Sequence, residues 1–313
     1  MSLTVFIQTP KKGTTELIMP SSASVRDVKR EYAKTKRVDI NRISLRQGET
    51  RLEDDDKKLS EVAKAPYNLQ LKDLGAQIGY RTVFVLEYLG PILFVGGFAA
   101  CRRGLFGPAL QTLLFGARAP QPMHAVAELA VLCWVGHFLK REFETLFVHK
   151  FSRPTMPLSN LFKNCGYYWT FGSVIGYPLC ATSFAVTSPD LVKAGLGVFL
   201  LSELGNLYCH IKLSSMRPQE GSKKREIPRG FMFDLVACPN YFFEIMSWVG
   251  FTVMTLDASF SGLANQTIWS AAFTAVGLLQ MGDWAMKKHR EYKKTYGKEY
   301  TDLRRRAMFP FVF

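Results

Sequence analysis

The sequence predicts a small α+β domain over residues 1–74, followed over 75–313 by an all-α polytopic membrane bundle of about six transmembrane helices, or seven. Three observations carry this prediction. The first 75 residues are dense in Lys, Arg, Asp and Glu. Between Gly79 and Trp284 lie several apolar stretches of about 18 to 23 residues, long enough to cross a bilayer. Strongly cationic segments then follow apolar ones directly, as at a membrane face. Averages over the 313 residues conceal this division: hydrophobic residues make up 48%, and the mean hydropathy is +0.01.

In the first domain, LTVFIQ and TTELIM alternate as strands, Ser21 to Ser24 gives a polar helix start, and VRDVKREYAKT reads as a helix. ISLRQ, a charged turn from Glu49 to Asp56 and NLQLKDL then return to strand. A hairpin, a helix and further strands in that order resemble the ubiquitin-like β-grasp fold; any small α+β domain is the alternative. Nothing in the domain looks catalytic. The opening MSLTVFIQTPKKG lacks the layout of a cleaved signal peptide.

Six spans are expected, at roughly 79–101, 123–139, 166–185, 191–210, 231–256 and 265–284. The connections 140–165 and 211–230 and the C-terminal tail are basic, whereas 186–190 and 257–264 contain no Lys or Arg. Basic loops stay cytosolic, and an even number of spans puts both termini there. Arg102, Arg103 and Arg118 run against this topology, and a re-entrant segment or a shifted boundary would accommodate them.

The net charge is +14. Most of the excess lies in Lys212 to Arg229 and Lys287 to Arg306, each beside an apolar span. That placement fits anionic lipid or phosphate, and no nucleic-acid-binding module accompanies it. The six Cys are scattered and mostly within apolar runs, so neither a disulfide framework nor a zinc site is implied. His137, His149, His210 and His289 come from different segments without carboxylate-rich histidine boxes, and no metal is expected. Phosphate-loop, zinc-protease and serine-hydrolase motifs are absent, and Gly195-Leu196-Gly197 lies within an apolar helix.

Ionisable groups inside membrane segments cost about 2.5 to 3.5 kcal/mol each at a helix centre, so each needs a partner or a function. Here they cluster: Glu87; His137, Lys140, Arg141 and Glu144; Glu203, Asn206 and His210; Asn240, Tyr241 and Glu244. Spacings of three and four place two of these sets on single helical faces. Either the stripes line a shared polar cavity, or they are ion pairs joining helices, and Lys140 with Glu144 suits both readings.

Five motifs in order carry a resemblance: QIGYRTVFVLEYLGP (77–91), KREFETLFVHKFSRPTMPLSNLFKNCGYYW (140–169), LSELGNLYCHIKL (201–213), FDLVACPNYFFEIMSWVGF (233–251), and the H-x-x-Y with the RRRAMFPFVF tail (289–313). The chain resembles the very-long-chain enoyl-CoA reductases of the endoplasmic reticulum, members of the steroid 5α-reductase family.

The resemblance implies reduction of a very-long-chain trans-2-enoyl-CoA to the saturated acyl-CoA, with hydride delivered to Cβ and a proton to Cα. It implies the last step of fatty acyl elongation, feeding sphingolipid synthesis beside the other elongation enzymes in the bilayer. No side chain supplies hydride, so a nicotinamide cofactor is needed, and the resemblance makes it NADPH. Asn206, Asn240, Glu244, His289 and Tyr292 match positions that contact it. Arg217, Arg225, Arg304 and Arg305 are candidates to clamp its phosphates. Tyr241 is the expected proton donor, with an interfacial aromatic anchor as its alternative, and Lys140 or Arg141 would stabilise the enolate oxygen. Glu87 matches a buried carboxyl that pairs with the substrate carbonyl, which it can do only when protonated.

One departure stands out. The wider family has tyrosine in H-Y-x-x-[KR], and here Phe138 holds that position in HFLKR. Three other readings compete. They are a sister reductase of steroid or polyprenol enones, a membrane methyltransferase, and a non-enzymatic adaptor.

Overall fold

The structure, a computed structural model, describes residues 2–10, 13–116, 123–151, 153–181, 187–217, 226–258 and 265–313. Two compact units are present, one formed by Met1–Tyr80 with Arg153–Phe162, the other by Arg81–Ser152 with Lys163–Phe313.

In the first unit, β1 (Ser2–Thr9) and β2 (Gly13–Pro20) form an antiparallel hairpin with Val5 opposite Leu17. Their alternation sends Val5, Ile7, Leu17 and Met19 inward. Helix α1 (Val25–Lys36) begins at a capping box, in which the Ser24 hydroxyl accepts from the Asp27 N–H and the Asp27 carboxylate accepts from the Ser24 N–H. It ends on Arg37 in the left-handed conformation and buries Val25, Val28 and Tyr32. Then follow β3 (Ile43–Gln47), β4 (Thr50–Arg51), the short α2 (Leu59–Val62) and β5 (Tyr67–Asp73). β5 lies between β1, to which it is parallel, and β3, to which it is antiparallel, giving the order β2-β1-β5-β3-β4. Beyond residue 74 the unit continues into β6 (Gln77–Gly79), paired antiparallel with β7 (Thr155–Pro157). Arg153 reaches Glu53 at 3.3 Å.

The second unit is helical. Its elements are α3 (Tyr80–Arg102), α4 (Pro108–Phe115), α5 (Ala125–Phe143), α6 (Ser159–Ala181), α7 (Pro189–Ser215), α8 (Pro239–Met254), α9 (Gln266–Tyr296) and α10 (Lys298–Thr301). Helices α7 and α8 approach at backbone distance. A Cβ at Gly195 would stand 2.6 Å from the Gly250 carbonyl oxygen, and one at Gly250 would stand 2.7 Å from the Gly195 oxygen. Only glycine permits such contact, and it brings the polar residues lower on α7 and α8 within reach of one another. Trp134, Phe138, Trp248, Phe251 and Phe273 fill the core beside them, with the Trp134 and Trp248 rings 5.0 Å apart.

Among the described residues two helices, α3 and α7, are long and apolar enough to cross a membrane. Pro239 stands at the start of α8, after a separate 3₁₀ turn at Phe231–Asp234, so that helix runs for 16 residues. Helix α9, by contrast, continues for 31 residues until Gly297. The connection holding Arg102 and Arg103 contains α4, where Gln111 donates to the Arg102 carbonyl at 2.8 Å and Arg103 meets Glu128 at 3.4 Å. Arg118 lies outside the described residues. All six cysteines are free thiols.

Candidate active site

The polar residues of α5, α7 and α8 meet in one network. His137 has a carboxylate at each ring nitrogen, Glu203 at 2.8 Å from Nδ1 and Glu244 at 3.3 Å from Nε2. Only the doubly protonated ring donates to both. One turn along α5, the Lys140 ammonium reaches Glu203 and the Asn206 side-chain oxygen, each at 2.7 Å. The Asn206 amide donates to the Asn240 backbone carbonyl at 2.9 Å and to Glu244 at 3.2 Å. The Trp248 indole N–H also donates to Glu244, at 3.2 Å. A spacing of three residues produces this arrangement, because it aligns Glu203 with Asn206 and His137 with Lys140 on facing helices. Lys140, Arg141 and Glu203 keep 13 to 16% of their side chains accessible.

A second cluster adjoins it where α5 gives way to a π-helical turn at Glu144–Val148. Arg141 directs Nη1 to the Glu144 carboxylate and Nη2 to the Tyr88 hydroxyl, the latter at 3.0 Å. His210 lies 2.9 Å from the same carboxylate. Burial alone would raise the pKa of Glu144, but the His210 hydrogen bond and the Arg141 charge bring it down to about 2. Burial, with the charges of Arg141 and His210, holds His149 at about 3. Ligand atoms of Glu144, His149 and His210 lie within 4.8 Å of one another. Arg141 puts positive charge against two of these three, which disfavours a cation there. Glu87, on α3, accepts from the Asn164 amide of α6 at 2.7 Å.

The C-terminal tail braces the start of α8. Arg306 pairs with Val236, and the N–H groups of Ala237 and Cys238 donate to the carbonyls of Arg306 and Ala307 at 2.8 and 3.0 Å. This places Arg305 inside, where its Nη1 donates to the Pro228 carbonyl at 2.7 Å and its Nη2 lies 3.6 Å from Asp234. His289 shares a 2.8 Å hydrogen bond with the Tyr300 hydroxyl. Burial, reinforced by Lys293 and Arg306, lowers the His289 pKa, and burial pushes Tyr300 up to about 12. Tyr292 packs 5.3 Å from the Tyr300 ring. Nearby, a cavity of about 590 Å³ is lined by Lys212, Ser215, Glu226, Arg229, Tyr296 and Glu299 among others. Its ammonium, guanidinium and hydroxyl groups have the chemistry to hold phosphate.

The structure thus brings Lys140, Asn206, Asn240 and Glu244 together, with Asn240 taking part through its backbone carbonyl. Arg141 and Glu87 fall in the adjoining clusters. The Tyr241 ring lies 6.1 Å from Trp284 and packs with the tail cluster, while Arg141 meets Tyr88. His289, Tyr292 and Arg305 form the braced tail, Arg304 is exposed, and Arg225 lies outside the described residues. Tyr88, Asn164 and Trp248 were not singled out in the sequence. An aromatic hydroxyl, an amide and an indole N–H in apolar helices are ordinary singly and informative only once their partners are known.

Comparison with known proteins places the chain in a class of reductases. Residues 154–313 match the family model described as 3-oxo-5-alpha-steroid 4-dehydrogenase. The very-long-chain enoyl-CoA reductase of Dictyostelium discoideum is 34% identical, covering 100% of this chain and 99% of that protein. A Trypanosoma brucei brucei protein named for enoyl-CoA reduction is 40% identical over 94% of this chain and 95% of its own length. The trans-2,3-enoyl-CoA reductase-like protein of Bos taurus is 33% identical over 93% and 77%. The chain belongs to the very-long-chain enoyl-CoA reductase family.

Proposed function

We propose that this protein reduces very-long-chain trans-2-enoyl-CoA to saturated acyl-CoA with NADPH, as the last step of the elongation cycle that feeds sphingolipid synthesis. The observation that carries the proposal is full-length similarity to enoyl-CoA reductases, joined to a polar network buried between helices. When bound, the reduced nicotinamide supplies the hydride that no side chain can. Lys212, Ser215 and Arg229 are suited to hold its phosphates, and the Asn206–Glu244 pair to orient a carboxamide. Lys140 and Arg141 provide positive charge near developing enolate charge.

The setting belongs to the same proposal: a multi-pass bundle of about six helices in the endoplasmic reticulum membrane, both termini cytosolic, working beside other elongation enzymes. Exposed leucines on long helices support it, Leu201 and Leu279 being 71% and 75% accessible and suited to lipid. The mixed sheet carrying one long helix supports a ubiquitin-like β-grasp for the first unit.

The name of the matching family model favours a second reading, reduction of a steroid enone. Purified protein supplied in parallel with trans-2-hexadecenoyl-CoA and a steroid enone, each with NADPH and NADH, separates the two. Turnover of the enoyl-CoA with NADPH is expected; turnover of the steroid alone would replace the first reading with the second.

A further inference from the structure

Beyond the braced tail the chain turns back on itself, beside the end of the apolar stretch of α9. The N–H groups of Met308 and Phe309 donate to the Phe313 carbonyl at 2.8 and 2.6 Å, and those of Val312 and Phe313 donate to the Phe309 carbonyl at 3.3 and 3.1 Å. Pro310 carries no N–H. Most of the loop's donors are therefore satisfied within it, as a segment entering a layer poor in water requires. Its base is fixed: Met308 is fully buried, the Phe309 ring lies 5.6 Å from that of Phe242, and the Phe313 ring covers Gly282 of α9, where an added Cβ would stand 3.6 Å from it. The tip is open. Phe311 and Val312 are 79% and 81% accessible, and Phe311 holds a φ of 65°, uncommon for a bulky side chain.

Gly282, under the Phe313 ring, shares a face of α9 with the exposed Leu279, three residues earlier. Trp284, also exposed, follows it, and then come the cations Lys287 and Lys288. An aliphatic side chain, an indole and then ammonium groups is the order met on leaving hydrocarbon through the interface towards anionic headgroups. The loop stands beside that transition with two large apolar side chains turned outward. We propose that Phe311 and Val312 insert into the interfacial layer of the bilayer and anchor the tail there, an inference that rests on the bilayer placement of α9. Lipid is the occupant because the loop continues the outward apolar surface of that helix just before its cations begin. The same tail supplies the Arg306 and Ala307 carbonyls that brace the start of α8, so the bilayer holds this brace from its far end.

The test replaces Phe311 by the photoreactive p-benzoylphenylalanine, one aromatic side chain for another, in the full chain reconstituted into nanodiscs of phosphatidylcholine and phosphatidylserine. Two further chains carry the same residue in place of Leu279, within the apolar stretch of α9, or of the exposed Lys294, twelve residues beyond Gly282 and about 18 Å further along the helix. After irradiation, adducts are located by mass spectrometry. Lipid adducts are expected at 311 and 279, with only background at 294. Lipid at 279 but no more at 311 than at 294 would overturn the proposal, as would cross-linking of 311 to a second copy of the chain in place of lipid. No lipid at either 279 or 311 would contradict the bilayer placement of α9, and the proposal with it.

Discussion

The side-chain amide of Asn164 donates to the carboxylate of Glu87 at 2.7 Å, linking α6 to α3 across 77 residues of sequence. Glu87 is 1% exposed, so this amide is one of very few groups that can fix the orientation of its carboxyl. Removing it frees a buried acid while leaving the acid itself in place.

Asn164→Ala is therefore expected to lower kcat by about tenfold, equivalent to about 1.4 kcal/mol, with KM for NADPH nearly unchanged. Asn164→Gln should fail to restore it, since the amide would overshoot a 2.7 Å contact. Steady-state kinetics with the enoyl-CoA varied checks both. Equal kcat for Asn164→Ala and the parent would remove Glu87's positioning from the account.

The seam between α7 and α8 gives a prediction about folding. A side chain at Gly195 would enter within 2.4 Å of the Met254 backbone nitrogen, and no rotamer relieves a clash of Cβ with backbone. Gly195→Ala is expected to destabilise at or above the upper end of the roughly 1–3 kcal/mol that overpacking costs. Gly197→Ala, two residues away with nothing within 4 Å of its added Cβ, should be neutral or mildly stabilising. Thermal unfolding in detergent measures the contrast, and similar midpoints for the two variants would mean the seam is looser than described.

Stability should also depend on pH through His149. Burial and the Arg141 charge hold its pKa at about 3, against about 6.5 for an unfolded histidine. Below pH 6.5 the unfolded chain takes up a proton that the folded chain refuses, so stability falls as pH drops towards 3 and is unaffected by this residue above about 7. His149→Gln is expected to flatten that acid-side loss between pH 6.5 and 5. An unchanged slope of unfolding midpoint against pH in the variant would show that His149 is not its source.

What could be read from the sequence differs between local pattern and pairing. Alternation in TTELIM and the Ser24/Asp27 cap lead directly to β2 and α1, because both signals lie within a few residues. Stripes at three and four residues bring His137, Lys140, Glu203 and Asn206 to attention, yet nothing in them says that His137 faces two carboxylates or that Asn240 contributes its carbonyl. The start of α8 is hidden because FMFDLVAC is as apolar as the helix after it, and only Pro239 marks the boundary. Arg305 reads as a surface cation in RRRAMF. Backbone pairing of Arg306 and Ala307 with 236–238 turns it inward to Pro228 instead. Long-range partners such as Glu87 with Asn164 have no local signature at all.

The central claim is enoyl-CoA reduction by hydride from NADPH, and the position of the transferred hydrogen tests it most directly. Purified protein is incubated with trans-2-hexadecenoyl-CoA and NADPH bearing deuterium at C4 of the nicotinamide, and the acyl product is examined by mass spectrometry. The account predicts hexadecanoyl-CoA carrying one deuterium at Cβ and a solvent-derived hydrogen at Cα. Recovery of unreduced enoyl-CoA, or of saturated product with no deuterium at Cβ, would contradict it.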